Sequence, residues 1–144
     1  MQKLTITKEF RFEGAHALLG YDGKCRHIHG HSYKLLITVT GSPITDLASP
    51  KNGMIMDFSD LKAVVEELVI KPFDHALLLR KDAPLAEALL ESYQNVRLLD
   101  FQPTCEQLTL YIANALQNAI KEPNKLEAVR LYETPTSYAE WRNA

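Results

Sequence analysis

Between Leu4 and His16 the chain alternates: the even positions read Leu4, Ile6, Lys8, Phe10, Phe12, Gly14 and His16, the odd ones Thr5, Thr7, Glu9, Arg11, Glu13 and Ala15. Period two of this kind is the pattern of a strand with one face buried. A second such strand is predicted from His29 to Val39, where His29, His31, Tyr33, Leu35, Ile37 and Val39 lie opposite Ser32, Lys34 and Thr38. Joined as an antiparallel hairpin, the end of the first strand lies beside the start of the second, so His16, His29 and His31 meet at one end of one sheet face. The connection Ala17 to Ile28 is long for a hairpin, and long ordered loops are usually functional.

Past the turn-rich stretch Ser42 to Gly53 the period changes. Met54 to Phe58 leads to Ser59, a good N-cap, and to a helix with Leu61, Val64, Val65 and Leu68 on one face, stopped by Pro72. The apolar run Ala76 to Leu79 follows Asp74-His75; Pro84 to Tyr93 reads as a short helix and Asn95 to Phe101 as a short extended segment. Thr104 and Gln107 fit a capping box, after which Leu108, Ile112, Ala115, Leu116 and Ala119 form a helical stripe ending before Pro123. Leu126 to Glu133 puts Val129, Leu131 and Glu133 on one strand face, and Ser137 to Trp141 returns after the turn at Thr134-Pro135-Thr136. Together these predict an α+β domain ordered β-β-α-α-β-β, a four-stranded antiparallel sheet with two main helices on one face.

No repeat, low-complexity run or linker divides residues 1–144, so a single domain is expected. That length buries a core without staples, which makes a bound metal functional rather than structural. The formal net charge is -2 and the basic residues are scattered, so nucleic acid is not an expected partner. Met1 to Lys8 lacks an apolar secretory core, and no stretch approaches the roughly 18 apolar residues of a membrane span. A cytoplasmic protein with no membrane partner is expected, with Cys25 and Cys105 reduced.

Chemistry concentrates in Cys25-Arg26-His27-Ile28-His29-Gly30-His31, which holds three of the five histidines. Three neutral imidazoles from His16, His29 and His31 suit zinc and leave a fourth position for water or substrate, the pattern of a catalytic site. His27 has the wrong parity and reads as a loop residue, available as a substitute ligand. Cys25 is open to three readings: a general base with its pKa lowered beside a cation, a fourth ligand of a structural site, or an apolar filler. Asp74-His75 reads either as a proton-transfer pair or as a solvated loop pair. Glu133 continues a buried row as a carboxylate and needs a partner, for which Arg130 and Arg142 are candidates.

Taken together, Phe12-Glu13-Gly14-Ala15-His16, Cys25 with His29-Gly30-His31, Gly53-Met54-Ile55-Met56-Asp57-Phe58, Asp74-His75, Pro103-Thr104-Cys105-Glu106 and Tyr132-Glu133-Thr134 resemble the 6-pyruvoyl-tetrahydropterin synthase and 6-carboxytetrahydropterin synthase family. The Pro-Thr-x-Glu form and the ending Glu133-Thr134-Pro135-Thr136-Ser137 look more like the bacterial carboxy enzymes of queuosine and deazapurine biosynthesis. The resemblance implies the tunnelling fold, in which three subunits join their sheets into a barrel and two rings stack as a homohexamer with active sites at subunit interfaces. It implies zinc on His16, His29 and His31, proton transfer by Cys25, Asp74 and His75, and a pterin held by Glu133 with Thr104 and the Cys105 backbone. The implied lyase takes 7,8-dihydroneopterin triphosphate to 6-carboxy-5,6,7,8-tetrahydropterin, acetaldehyde and triphosphate. The pyruvoyl branch, with the same groups, is the alternative, and a non-catalytic zinc or pterin-binding protein is the alternative of another class. Two departures stand out: Cys105 where many members have Ser or Ala, and a longer Arg80 to Gln102 segment than compact bacterial members have.

Overall fold

The computed structural model describes residues 2–144. The two alternating segments form β1 (Leu4–His16) and β2 (His29–Gly41), antiparallel, with His16 opposite His29 and Gly14 opposite His31. β2 pairs in turn with β5 (Lys125–Thr134), and β5 with β6 (Ser137–Arg142), giving the expected four antiparallel strands.

The sheet extends further than the alternation shows. Two short strands, β3 (Ala76–Arg80) and β4 (Val96–Leu99), add in parallel beyond β1, so the order is β4-β3-β1-β2-β5-β6. β3 is a continuous apolar run without alternation, because Ala76, Leu78 and Leu79 are all buried, and such a run carries no strand-specific period. It meets β1 only at Gly14, Ala15 and His16.

Helix α1 (Phe58–Val65) continues through a widened turn at Glu66–Ile70 into α2 (Lys71–Phe73). The cap is Asp57, whose carboxylate accepts from Ser59 N at 2.8 Å; Ser59, the expected cap, lies inside the helix. In the widened turn Lys71 N–H donates to Glu66 O, five residues back, so the buried face becomes Leu61, Val65, Val69, Ile70 and Phe73 while Leu68 turns outward. Pro72 sits within the short segment that follows, near its start, where a missing N–H is tolerated. The remaining helices are α3 (Ala86–Ser92) and α4 (Cys105–Gln117), the latter capped by Thr104 Oγ1 accepting from Gln107 N at 3.1 Å.

α1 and α4 cover the sheet face that carries Phe10, Phe12, Leu35, Ile37, Val129 and Leu131, with Leu61, Leu108, Ile112 and Leu116 fully buried against it. Each such aliphatic side chain contributes about 1.5–3 kcal/mol when removed from water. The histidine-bearing ends of β1 and β2 belong to this same face, so the core fixes them. Among the described residues no helix is long and apolar enough to cross a membrane.

Candidate metal centre and active site

His16 is buried, and its Nδ1 lies 2.6 Å from the Pro103 carbonyl oxygen. His29 Nδ1 lies 2.7 Å from the His27 carbonyl. A carbonyl only accepts, so each Nδ1 carries the proton and donates, leaving the lone pair of the neutral ring on Nε2. Those two Nε2 atoms face each other at 3.0 Å, acceptor against acceptor. His31 Nε2 is buried and has no hydrogen-bond partner. The donor atoms of the three rings all lie within 4.8 Å of one another.

Burial holds His16 and His31 below the usual imidazole range, against the opposing pull of the Pro103 carbonyl on His16 and of Glu133 on both. Three clustered imidazoles, with the outer nitrogens of His16 and His29 fixed by carbonyls, form a donor set that fits a divalent metal. The Cys25 thiol is not among the converging donors. Cys25 lies half-buried in a short turn at Lys24–Arg26, its carbonyl accepting from Leu18 N at 2.9 Å. His27 contributes its carbonyl, and its ring is not one of the clustered donors.

Glu133 Oε1 approaches His31 Nε2 to 3.9 Å. The arginines expected to neutralise it are engaged elsewhere: Arg130 and Arg142 both bond Glu140, at 2.7 and 2.9 Å, because Glu140 stands directly across from Arg130 on β6. Glu133 lies instead at the irregularity in β5 between Tyr132 and Thr134, where the pairing with β6 shifts. Cys105, at the start of α4, donates its thiol to Leu131 O at 3.2 Å; burial and the nearby carboxylates push its pKa up to about 11, so it stays protonated.

Asp74 and His75 form a bonded pair, with His75 Nδ1 3.0 Å from Asp74 Oδ1. The same carboxylate oxygen accepts from Glu13 N at 3.0 Å, and these contacts, the Glu13 N–H first, hold Asp74 below the usual carboxylate range. His75 has a positive φ of 60°, a left-handed conformation that turns its ring outward. It lines a cleft of about 620 Å³ with Glu13, Ala15, Leu77 and Tyr93. Glu13 and Ala15 belong to the opposite face of β1 from His16, so within one chain the sheet separates His75 from the three histidines.

Three residues to which the sequence pattern assigns no chemical role complete the site. Gln102 clamps the long loop by donating to Leu19 O at 2.8 Å and accepting from Leu19 N at 3.0 Å. Pro103 sets the His16 tautomer through its carbonyl. Tyr33, one more apolar-face position in β2, is buried beneath His31 with an unpartnered hydroxyl.

A protein with this fold and this histidine centre falls among the tetrahydropterin-forming synthases. The family model for 6-pyruvoyl tetrahydropterin synthase matches residues 5–144, and the chain belongs to that family. It is similar to the 6-carboxy-5,6,7,8-tetrahydropterin synthase of Haemophilus influenzae, 36% identical over 141 residues, covering 95% of this chain and 97% of that protein. The protein of the same name from Rickettsia bellii is 30% identical, covering 95% of this chain and 99% of that one. Among solved structures, an uncharacterized protein from Wolinella succinogenes has a TM-score of 0.81 at 22% identity over the full length of both chains. The Caenorhabditis elegans 6-pyruvoyl tetrahydropterin synthase has a TM-score of 0.74 at 24% identity, covering 100% of this chain and 98% of that one.

Proposed function

We propose that the chain is a zinc-dependent 6-carboxy-5,6,7,8-tetrahydropterin synthase. It converts 7,8-dihydroneopterin triphosphate and water to 6-carboxy-5,6,7,8-tetrahydropterin, acetaldehyde and triphosphate, in the cytoplasm, on the way to queuosine and related deazapurines. The observation that carries this reading is the set of imidazole lone pairs from His16, His29 and His31, beside the Glu133 carboxylate. The two curated relatives named above, matched over nearly their whole length, support the carboxy branch.

Held by His16, His29 and His31, zinc supplies Lewis acidity that makes protons on the substrate's side-chain hydroxyls and adjacent carbons easier to remove. Glu133 takes the paired N–H groups of the pterin's guanidine-like edge in a charge-assisted contact. Thr104 and the free backbone N–H of Cys105, at the start of α4, meet the same ring system. Cys25 removes a proton from the side chain. His75, oriented through Nδ1 by Asp74, returns one at Nε2.

Because His75 and the histidine triad lie on opposite sheet faces, one chain's triad works with the Asp74-His75 pair of another. Open sheet edges support such an assembly. β3 covers only Gly14 to His16 of β1, and Glu13 bonds Asp74 and His75, leaving Leu4 to Phe12 without a strand partner on that side, while β6 is an edge strand. The reading is a homohexamer, a dimer of trimeric rings.

Zinc-loaded protein given 7,8-dihydroneopterin triphosphate is expected to release acetaldehyde; a three-carbon pyruvoyl product without acetaldehyde assigns it to the other branch. Cys25→Ala is expected to stay folded and keep its metal while turnover falls about a hundredfold or more, the scale of a lost acid–base group. If metal is lost along with activity, Cys25 is a structural ligand.

A further inference from the structure

Tyr33 carries a group that the chemistry above leaves unused. Its ring is 1% exposed and stacks on Phe12, with centroids 4.8 Å apart and planes 12° from parallel. It meets His31 edge to face at 5.6 Å. Across the strand pair, Gly14 admits it: a Cβ there would lie 3.1 Å from Tyr33 Cε2. The ring is therefore fixed, and the hydroxyl at its end is buried without a hydrogen-bond partner. The large majority of buried side-chain polar atoms in native proteins are paired, so an unpaired hydroxyl beside a candidate site points to a contact made in another state of that site.

The acceptor is at hand. The pairing of β2 with β5 runs to Lys34–Tyr132, and the next residues along the two strands are Tyr33 and Glu133. Glu133 sits in the irregularity of β5, a feature that re-aims side chains. At 3.9 Å from His31 Nε2 its carboxylate is beyond hydrogen-bond length there. We propose that Tyr33 is the positioning residue for Glu133: the phenol donates to the carboxylate when Glu133 engages the N–H edge of a bound pterin. A carboxylate has about four lone-pair sites, enough for two ligand N–H groups and one phenol at once. The inference rests on reading Glu133 as the pterin anchor.

The test is a double-mutant cycle in zinc-loaded protein, with Tyr33→Phe, Glu133→Gln and the double variant titrated with neopterin, which carries the pterin edge. Tyr33→Phe keeps the ring stack and removes one oxygen, so it is expected to fold, to hold the same metal per chain, and to weaken neopterin binding about tenfold, the scale of a hydrogen bond to a charged acceptor. In the Glu133→Gln background the same change is expected to have little further effect. Because the ligand-free protein leaves the hydroxyl unpaired, ligand-free Tyr33→Phe is expected to melt no lower than wild type, which a purely structural role for the hydroxyl does not give. Unchanged affinity in Tyr33→Phe, or effects of the two substitutions that simply add, overturn the inference. If Glu133→Gln still weakens binding strongly in that case, the pterin reading stands without it. Wild-type affinity in Glu133→Gln, or no neopterin binding by wild type, removes the anchor role and this inference together.

Discussion

Gly14 and His31 face each other across β1 and β2, and the space that Gly14 leaves is filled by the Tyr33 ring next door. Gly14→Ala restricts the unfolded chain, which favours folding by roughly 0.4–1 kcal/mol, but it presses a methyl group on a ring locked between buried neighbours, which costs about 1–3 kcal/mol. The second effect wins. Calorimetry is expected to show a Tm about 2–4 °C lower for a net loss near 1 kcal/mol; an unchanged or higher Tm means that the ring yields. At this scale the sequence was informative about donors and silent about what orients them. Parity alone brought His16, His29 and His31 together, because residues two apart in a strand share a face. The carbonyl that fixes His16 comes from Pro103, 87 residues away, and a backbone oxygen has no signature in sequence. Tyr33 looked like another core position because its isolation is a property of three-dimensional surroundings.

Among elements, the short run from Gln102 to Thr104 ties the site together: it clamps the long loop, holds the His16 ring and caps α4. Only the cap was legible, since capping is local while the other two contacts span more than eighty residues. α1 shows the same limit from the other side. Its apolar stripe follows a 3.6-residue period in sequence, and the widened turn at Glu66–Ile70 moves burial from Leu68 to Val69 and Ile70. The β5–β6 pair offers a test at this level. Arg130, first by its hydrogen bond and then by its charge, holds the Glu140 carboxyl below the usual range, with Arg142 adding to the effect. The folded pKa lies below the unfolded value of about 4.3, so the stabilisation is complete above that pH and is lost as pH falls through the folded value. Glu140→Gln is expected to lower the Tm at pH 7 and to show a shallower acid limb, the two proteins converging only once the pH has fallen below the folded pKa of Glu140. Parallel acid limbs mean that the ion pair adds no net stability.

For the whole molecule, the decisive relation is that the sheet lies between the histidine triad and the Asp74-His75 pair. The core depends on α1 and α4 covering one face, which places His16 inward, while the outward turn at His75 sends its ring to the cleft beside Glu13 and Ala15. On the proposed reading, a chain with both halves intact is insufficient alone, and assembly is part of the chemistry. This makes an outcome available that no single-chain active site gives. His31→Ala removes one proposed metal donor and keeps Asp74-His75; His75→Ala keeps the triad and removes the proposed proton-transfer group. Each homo-oligomer is expected to be nearly inactive. Dissociated, mixed in equal amounts and reassembled, they form composite sites in which the triad of one variant meets the His75 of the other. Random mixing of two chain types in a symmetric ring puts that combination at about a quarter of all sites, so activity is expected to return to about a quarter of wild type. If each site needs one triad and one His75, the restored sites turn over at the wild-type rate, and the mixture as a whole holds metal in proportion to its His75→Ala chains. If reassembled mixtures stay as inactive as their components while light scattering shows mixed oligomers, both halves act within one chain, and the sheet must open to let them meet.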